Sequence, residues 1–187
     1  MDENKRIRKF TLIIVGYPIA LILISLLLNL FAFGVEPLKV ALPSHDVVVT
    51  LVISSMLLLI NHSWLMTSTE LTRLNYKMYA SPEEWDEAGA RKEDVSNDGW
   101  VELERRHNAH RNATENTVYF GLLALMICFV TPVVIAAQVW IIGFAIGRLG
   151  YTFSALRGNA GLRGIFMSIS LLSLYGLAGY LGLSLIV

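Results

Sequence analysis

Long apolar runs separated by short polar breaks account for most of this chain. The first run, residues 10–33, follows a basic start carrying Lys5, Arg6, Arg8 and Lys9. A bilayer core needs about 20 apolar residues in a helix, so this run predicts a membrane span. It is longer than the roughly 7–15 apolar residues of a secretory signal, and no clean small-x-small cleavage site follows it. It therefore reads as a retained span, with its basic flank and amino end in the cytoplasm. Residues 34–45, with Pro37 and Pro43, read as an external loop. A second run starts near Asp46 and stays apolar to about Met66. Its helical pattern continues to Tyr79, because no Gly or Pro interrupts it before Pro82. At 1.5 Å per residue that helix is about 50 Å long and projects beyond the membrane. Residues 81–99 combine Pro82, Gly89 and Asn97-Asp98-Gly99 with both charges and read as a cytoplasmic loop. A third span covers residues 100–130, Thr131-Pro132 turns the chain, and a fourth covers 133–156. After Gly158 to Gly164 a fifth covers 165–187.

The basic residues support this alternation. Arg73, Lys77, Arg91, Lys92, Arg105, Arg106, Arg111, Arg148, Arg157 and Arg163 all fall on the side of the amino terminus, whereas the other side offers only Lys39. The carboxyl terminus is then expected outside the cytoplasm. Composition agrees: 55% of the 187 residues are hydrophobic and 16% charged, with a mean hydropathy of +0.56. The expected fold is an all-α, polytopic membrane helix bundle. Fifteen basic and fifteen acidic side chains balance, so no nucleic-acid partner is suggested. Cys128 is the only cysteine and lies in an apolar run, which suits a small packing side chain and excludes an internal disulfide framework. No metal site is expected.

The third span begins with a polar stripe. Asn108, Arg111, Asn112, Glu115 and Asn116 recur at helical spacing and run into the apolar residues 117–130. Amides, a guanidinium and a carboxylate at the mouth of a membrane helix are costly unless they meet each other, another helix or a ligand. Arg148, Tyr151, Thr152 and Ala155 form a second such line in the fourth span. Arg148 keeps its proton and needs a carboxylate or an anionic ligand; Glu115 is the natural partner, either as a structural pair or within a site. Gly143-x-x-x-Gly147, then Gly150, and Ala178-x-x-x-Gly182 allow close helix approach. Together Arg73, Arg111, Arg148, Arg157 and Arg163, with Asn112, Asn116, Glu115, Tyr151 and Thr152, read as a cytosol-side pocket for a small anion that also carries an ammonium group.

Several separated motifs resemble the MAPEG family, the membrane-associated proteins in eicosanoid and glutathione metabolism. They are Leu71-Thr72-Arg73, Ala80-Ser81-Pro82-Glu83-Glu84, Val101 to Glu115, Gly147-Arg148-Leu149-Gly150-Tyr151-Thr152, and Leu162-Arg163. The resemblance spans residues 46–187 and implies a four-helix protomer that forms a homotrimer, with glutathione as co-substrate near the cytoplasmic face. Residues 1–45 are then an added outer helix with its external loop. The resemblance further implies that Arg73, Arg111, Asn112, Glu115, Arg148 and Tyr151 bind glutathione. Arg163 takes the catalytic place beside the thiolate. Three positions depart from the family pattern: Asn108 replaces an arginine, Ala155 a tyrosine, and Tyr119 falls at or near a proline.

The implied function is a glutathione-dependent transferase or peroxidase acting on hydrophobic electrophiles or lipid hydroperoxides that enter from the bilayer. The competing expectation, favoured by Asn108 and Ala155, is a non-catalytic relative serving assembly or binding another anionic lipid or metabolite. A transporter is disfavoured, because no span carries mid-membrane Gly/Pro breaks. The pattern fits the bacterial inner membrane or the endoplasmic reticulum alike.

Overall fold

The computed structural model describes residues 3–187, so Met1 and Asp2 of the basic start lie outside it. Helix α1 (Glu3–Leu27) continues as a π-helical segment, Leu28–Phe33. Then follow α2 (His45–Tyr76), α3 (Pro82–Ala88), α4 (Asn97–Cys128), α5 (Val134–Leu156) and α6 (Ala160–Ser184). No β-strand forms among the described residues; a single bridge pairs Val40 with Val130. The protein is an all-α, polytopic membrane bundle.

Side-chain caps set most boundaries. Ser44 starts α2 by accepting from the Val47 N–H, and Lys77 closes it in the left-handed conformation at φ 54°, so the helix stops short of Tyr79. Residues 81–99 are not one plain loop. The Ser81 hydroxyl accepts from the Glu84 N–H at 3.4 Å, Pro82 fills the first turn and Gly89 ends the helix at φ 60°, which makes α3. A 3-10 turn follows at Lys92–Asp94. Ser96 caps α4 through Gly99, three residues earlier than the expected start. Asn159 caps α6 through Leu162 at 3.0 Å, moving its start from 165 to 160.

Four helical stretches are long and apolar enough to cross a membrane: Glu3–Phe33, His45–Tyr76, Val134–Leu156 and Ala160–Ser184. The expected third span, now α4, is the exception. Its polar first half leaves only Thr117 onward apolar. That apolar half is nonetheless built into the bundle: Phe120, Ala124, Ile127 and Cys128 share the main core with Trp140, Ile141, Phe144 and Leu177. Phe120 stacks on Phe144 with ring centroids 4.1 Å apart. Loop hydrogen bonds gather one end of the bundle, from Leu38 to Ser184, Ala41 to Phe129 and Thr131 to Lys39. The Tyr180 hydroxyl accepts there from both Glu36 and Val133. With these ends tied together, the apolar half of α4 runs beside its neighbours, and the polar starts of α4 and α6 meet at the opposite end.

The added helix α1 packs on α6 through polar locks. Asn29, fully buried, donates to the Gly176 carbonyl at 2.9 Å and accepts from the Trp140 indole at 2.8 Å, while Tyr17 meets Ser168 at 2.8 Å. Gly176 is needed there, because a Cβ at that position would fall 2.3 Å from the Trp140 ring. The α5–α6 contact is closest at the glycines noted in the sequence. A Cβ on Gly147 would lie 2.7 Å from the Ser170 backbone nitrogen, so backbone must move to admit it. Gly147→Ala is therefore expected to lower stability by about 1–3 kcal/mol, as overpacking does. Gly182→Ala, with nothing near its would-be Cβ, should be neutral or stabilising. Thermal unfolding in detergent checks the pair; equal melting temperatures would remove the close-approach argument.

Candidate functional site

The site is built around Arg148 of α5, which is 0% exposed. Its Nη2 donates to Asn112 Oδ1 of α4 at 2.6 Å, and Nη1 reaches Ser170 Oγ at 3.4 Å and Met167 Sδ at 3.8 Å on α6. The guanidinium carbon stands 4.6 Å from the centroid of the Tyr151 ring. Among the described residues Arg148 Nε has no partner, and no carboxylate pairs with this side chain. The expected Glu115–Arg148 pair is thus not formed within the protomer. Arg148 stands level with Asn112, one helical turn before Glu115. Glu115 lies exposed on the outward edge of α4 with Val118, Tyr119 and Leu122. Because a guanidinium only donates, the bond fixes the Asn112 amide with its oxygen inward.

Beside this core, a cavity of about 320 Å³ opens between α4, α5 and the start of α6. Asn108, Tyr151, Ala155 and Arg163 line it, together with Glu104 and Arg105. Two of the three departures from the family pattern, Asn108 and Ala155, therefore face one space with Arg163 and Tyr151. Arg105 stood outside the expected binding set, although it precedes Asn108 by three positions and so shares its face. Gly158, at φ 67°, leaves room for it: a Cβ there would come within 3.0 Å of Arg105 Nη1. Arg105 is bridged to Glu102 at 3.2 Å. Arg106 is turned away and held by Glu102 and the Ser68 carbonyl.

Arg73 and Arg111 are elsewhere. They line a second cavity, about 340 Å³, between α2 and α4, with Glu70, His107 and His110. Arg73 pairs with Glu70 at 2.6 Å and meets His107 Nε2 at 3.4 Å. Leu65, Ala109, Ala113 and Ala155 pack together where α2, α4 and α5 meet. Of the ten residues expected in one pocket, Tyr151 and Arg163 line the first cavity and Arg73 and Arg111 the second. Consecutive helix positions point about 100° apart, so Arg111 and Asn112 face different grooves. Arg157 joins neither, since it lies over the Phe153 ring at 4.3 Å. Asn116 donates to the Asn112 carbonyl at 2.8 Å, and Thr152 is buried with its hydroxyl unpartnered. His107 and His110 complete the basic groove; their spacing to Arg111 was the available signal.

Chemically, the first cavity offers two guanidiniums at its wall, a third behind Tyr151, one amide, and one carboxylate. Such a set favours an anion and lowers the pKa of a thiol placed beside it. No curated protein matches the chain. The family model described as "MAPEG family" matches residues 49–183, from early α2 to the last turn of α6, and leaves α1 outside. The motifs, the bundle and this match agree, and the chain belongs to the MAPEG family.

Proposed function

We propose that this protein is a glutathione-dependent membrane enzyme, a transferase or peroxidase acting on hydrophobic electrophiles or lipid hydroperoxides. The observation that carries the reading is Arg148, wholly buried and without a counter-charge among the described residues. A buried cation with that deficit favours an anionic occupant nearby. In this reading glutathione lies in the α4–α5 cavity, with Asn112, Tyr151 and Arg148 positioning it. Arg105 and Arg163 supply donors there, and Arg163 holds the thiol as thiolate. The thiolate sulfur then bonds to the electrophilic carbon of a substrate arriving from the bilayer as its leaving group departs with the electron pair. With a hydroperoxide it attacks the terminal oxygen, the O–O bond breaks to release the alcohol, and a second glutathione yields the disulfide and water.

A homotrimer, which family membership favours, also accounts for the division of the site. A cyclic ring joins two different faces of each protomer. The basic α2–α4 groove of one copy can then close over the α4–α5 cavity of the next, bringing Arg73 and Arg111 to the second carboxylate. Glu115, otherwise a carboxylate on an outward face beside apolar residues, gains the glutathione ammonium or a neighbour's arginine in this arrangement. The positive-inside pattern supports a cytoplasmic side for the site and the amino terminus.

Titration of the purified protein with reduced glutathione tests the reading. Saturable heat with Kd below about 1 mM, roughly 4 kcal/mol of binding, is expected. No heat at several millimolar ligand overturns it. Asn108 and Ala155 in the cavity favour a second reading, binding without turnover, and transferase and peroxidase assays on wild type beside Arg163→Ala separate the two. Equal background rates in both would support the second.

A further inference from the structure

Helix α1 lies outside the family match, and its first two turns carry Lys5, Arg6, Arg8 and Lys9 against one acidic residue, Glu3. All four basic side chains are exposed. Among the described residues none of them is paired with a carboxylate, whereas Arg73 is held by Glu70 and both Arg105 and Arg106 by Glu102. The placement also runs against the helix itself, because the first turn carries a partial positive charge that disfavours cations. Nothing in the bundle offsets it. Among the long helices α1 packs on α6 alone, and α6 contains no Asp or Glu and adds Arg163 near its own start. The carboxylates of that end are gathered on α3 and the start of α4, which α1 does not meet.

The packing of α1 fixes the depth of this charge. Tyr17 meets Ser168 and Asn29 meets Gly176, so α1 and α6 run in the same direction. Ser168 stands eight residues after Ala160, where α6 begins, and the same step back from Tyr17, about 12 Å, reaches Lys9. Lys9 is therefore level with the first turn of α6, and Lys5, Arg6 and Arg8 extend to and just past that end. From Phe10 onward α1 carries no charged residue. Arg6 lies over the Phe10 ring at 5.9 Å, which holds its guanidinium at the edge of the apolar layer. We propose that these two turns bind the headgroups of anionic glycerophospholipids in the leaflet at that end, their phosphodiester oxygens accepting from the four basic side chains. A cluster of this size at the mouth of a span draws anionic lipid. A zwitterionic headgroup brings its own ammonium and leaves the excess charge unmet. This binding is independent of glutathione.

The test uses the full chain in phosphatidylcholine vesicles containing a trace of spin-labelled phosphatidylglycerol or of spin-labelled phosphatidylcholine. Electron paramagnetic resonance separates lipid held at the protein from free lipid. At low salt a preference of about fivefold for the phosphatidylglycerol probe is expected, the effect of roughly one basic side chain at the membrane surface. Salt at about 1 M, where screening acts within about 3 Å, should remove most of it. Replacing Lys5, Arg6, Arg8 and Lys9 by Gln should bring the preference close to one. Arg91→Gln with Lys92→Gln, two exposed cations between α3 and α4, should leave it unchanged. Loss of four charges can disturb the insertion of α1, so Lys5→Gln with Lys9→Gln, which keeps Arg6 and Arg8, is the second variant and should lower the preference at least twofold. Equal retention of the two probes by the wild type overturns the proposal. So does a preference that survives high salt or both α1 variants, or one that disappears with Arg91 and Lys92.

Discussion

On the function proposed above, Arg105→Ala is expected to raise the KM for glutathione by about 10- to 100-fold with kcat largely intact, and adding Asn108→Arg to the same chain is expected to restore the KM. The magnitude is that of one hydrogen bond between charged groups, about 1.5–3 kcal/mol. The choice among the three arginines near position 108 is geometric. Arg106 is spent on Glu102 and the Ser68 carbonyl, and Arg111 points into the groove on the far side of α4. Only Arg105 shares a cavity with Asn108, Tyr151 and Arg163. It lies one turn before Asn108 on the same helix face and reaches the turn at Gly158. A guanidinium one turn away can thus supply the carboxylate contact that Asn108 cannot. The effect belongs in KM because the contact is distant from the thiol and acts on ground state and transition state alike. Arg105→Lys should fall between, since a point charge replaces a fork. Steady-state kinetics on the four proteins, or glutathione Kd where turnover is slow, reads the outcome. An unchanged KM in Arg105→Ala, or no rescue by Asn108→Arg, removes Arg105 from the site while leaving glutathione binding itself untouched.

How far the residues alone carry the fold is clearest helix by helix. The apolar runs of α1, α2, α5 and α6 were legible because lipid demands length and hydropathy together. Helix α3 was legible in principle too: Ser81-Pro82-Glu83-Glu84 carries a cap, a first-turn proline and an acidic third position, yet the surrounding glycine and charges read as loop. Asn29 could not be placed, since its partners, Gly176 and Trp140, are more than a hundred residues away and no periodicity connects them. In the site, the need of Arg148 for a partner was legible and the partner was not. Spacing gives the face of a helix but not the depth at which two helices meet, and one turn of difference exchanged Glu115 for Asn112. A stripe at i, i+3 and i+4 also spans a wide arc. Arg111 and Asn112 counted as one face in the pattern, yet Arg111 lines the groove with α2 and Asn112 bonds to Arg148 of α5.

Asn112→Leu is expected to destabilise the bundle by about 3–5 kcal/mol, the cost of removing one partner from a buried charge. The amide oxygen is the one acceptor at short range to Arg148, at 2.6 Å, and Nε is already unpartnered. Leucine fills the volume but leaves Nη2 without an acceptor in a region closed to water. The loss therefore comes from polarity and not from packing, and further variants separate these terms. Asn112→Leu combined with Arg148→Met replaces the whole contact by apolar groups of similar volume, and should recover most of the lost stability. Asn112→Asp should melt at or above the wild-type temperature, because a carboxylate now meets the guanidinium. Glutathione affinity is expected to part company with stability across this set. It falls in the double variant, which removes the cation, and in Asn112→Asp, which cancels it, although both remain folded. Thermal unfolding in one detergent and titration with glutathione, made on the same preparations, give the two columns of data. Wild-type melting for Asn112→Leu would show that Arg148 finds another acceptor. Unimpaired binding by the folded double variant would instead detach Arg148 from the anion, and with it the charge on which the enzymatic reading depends.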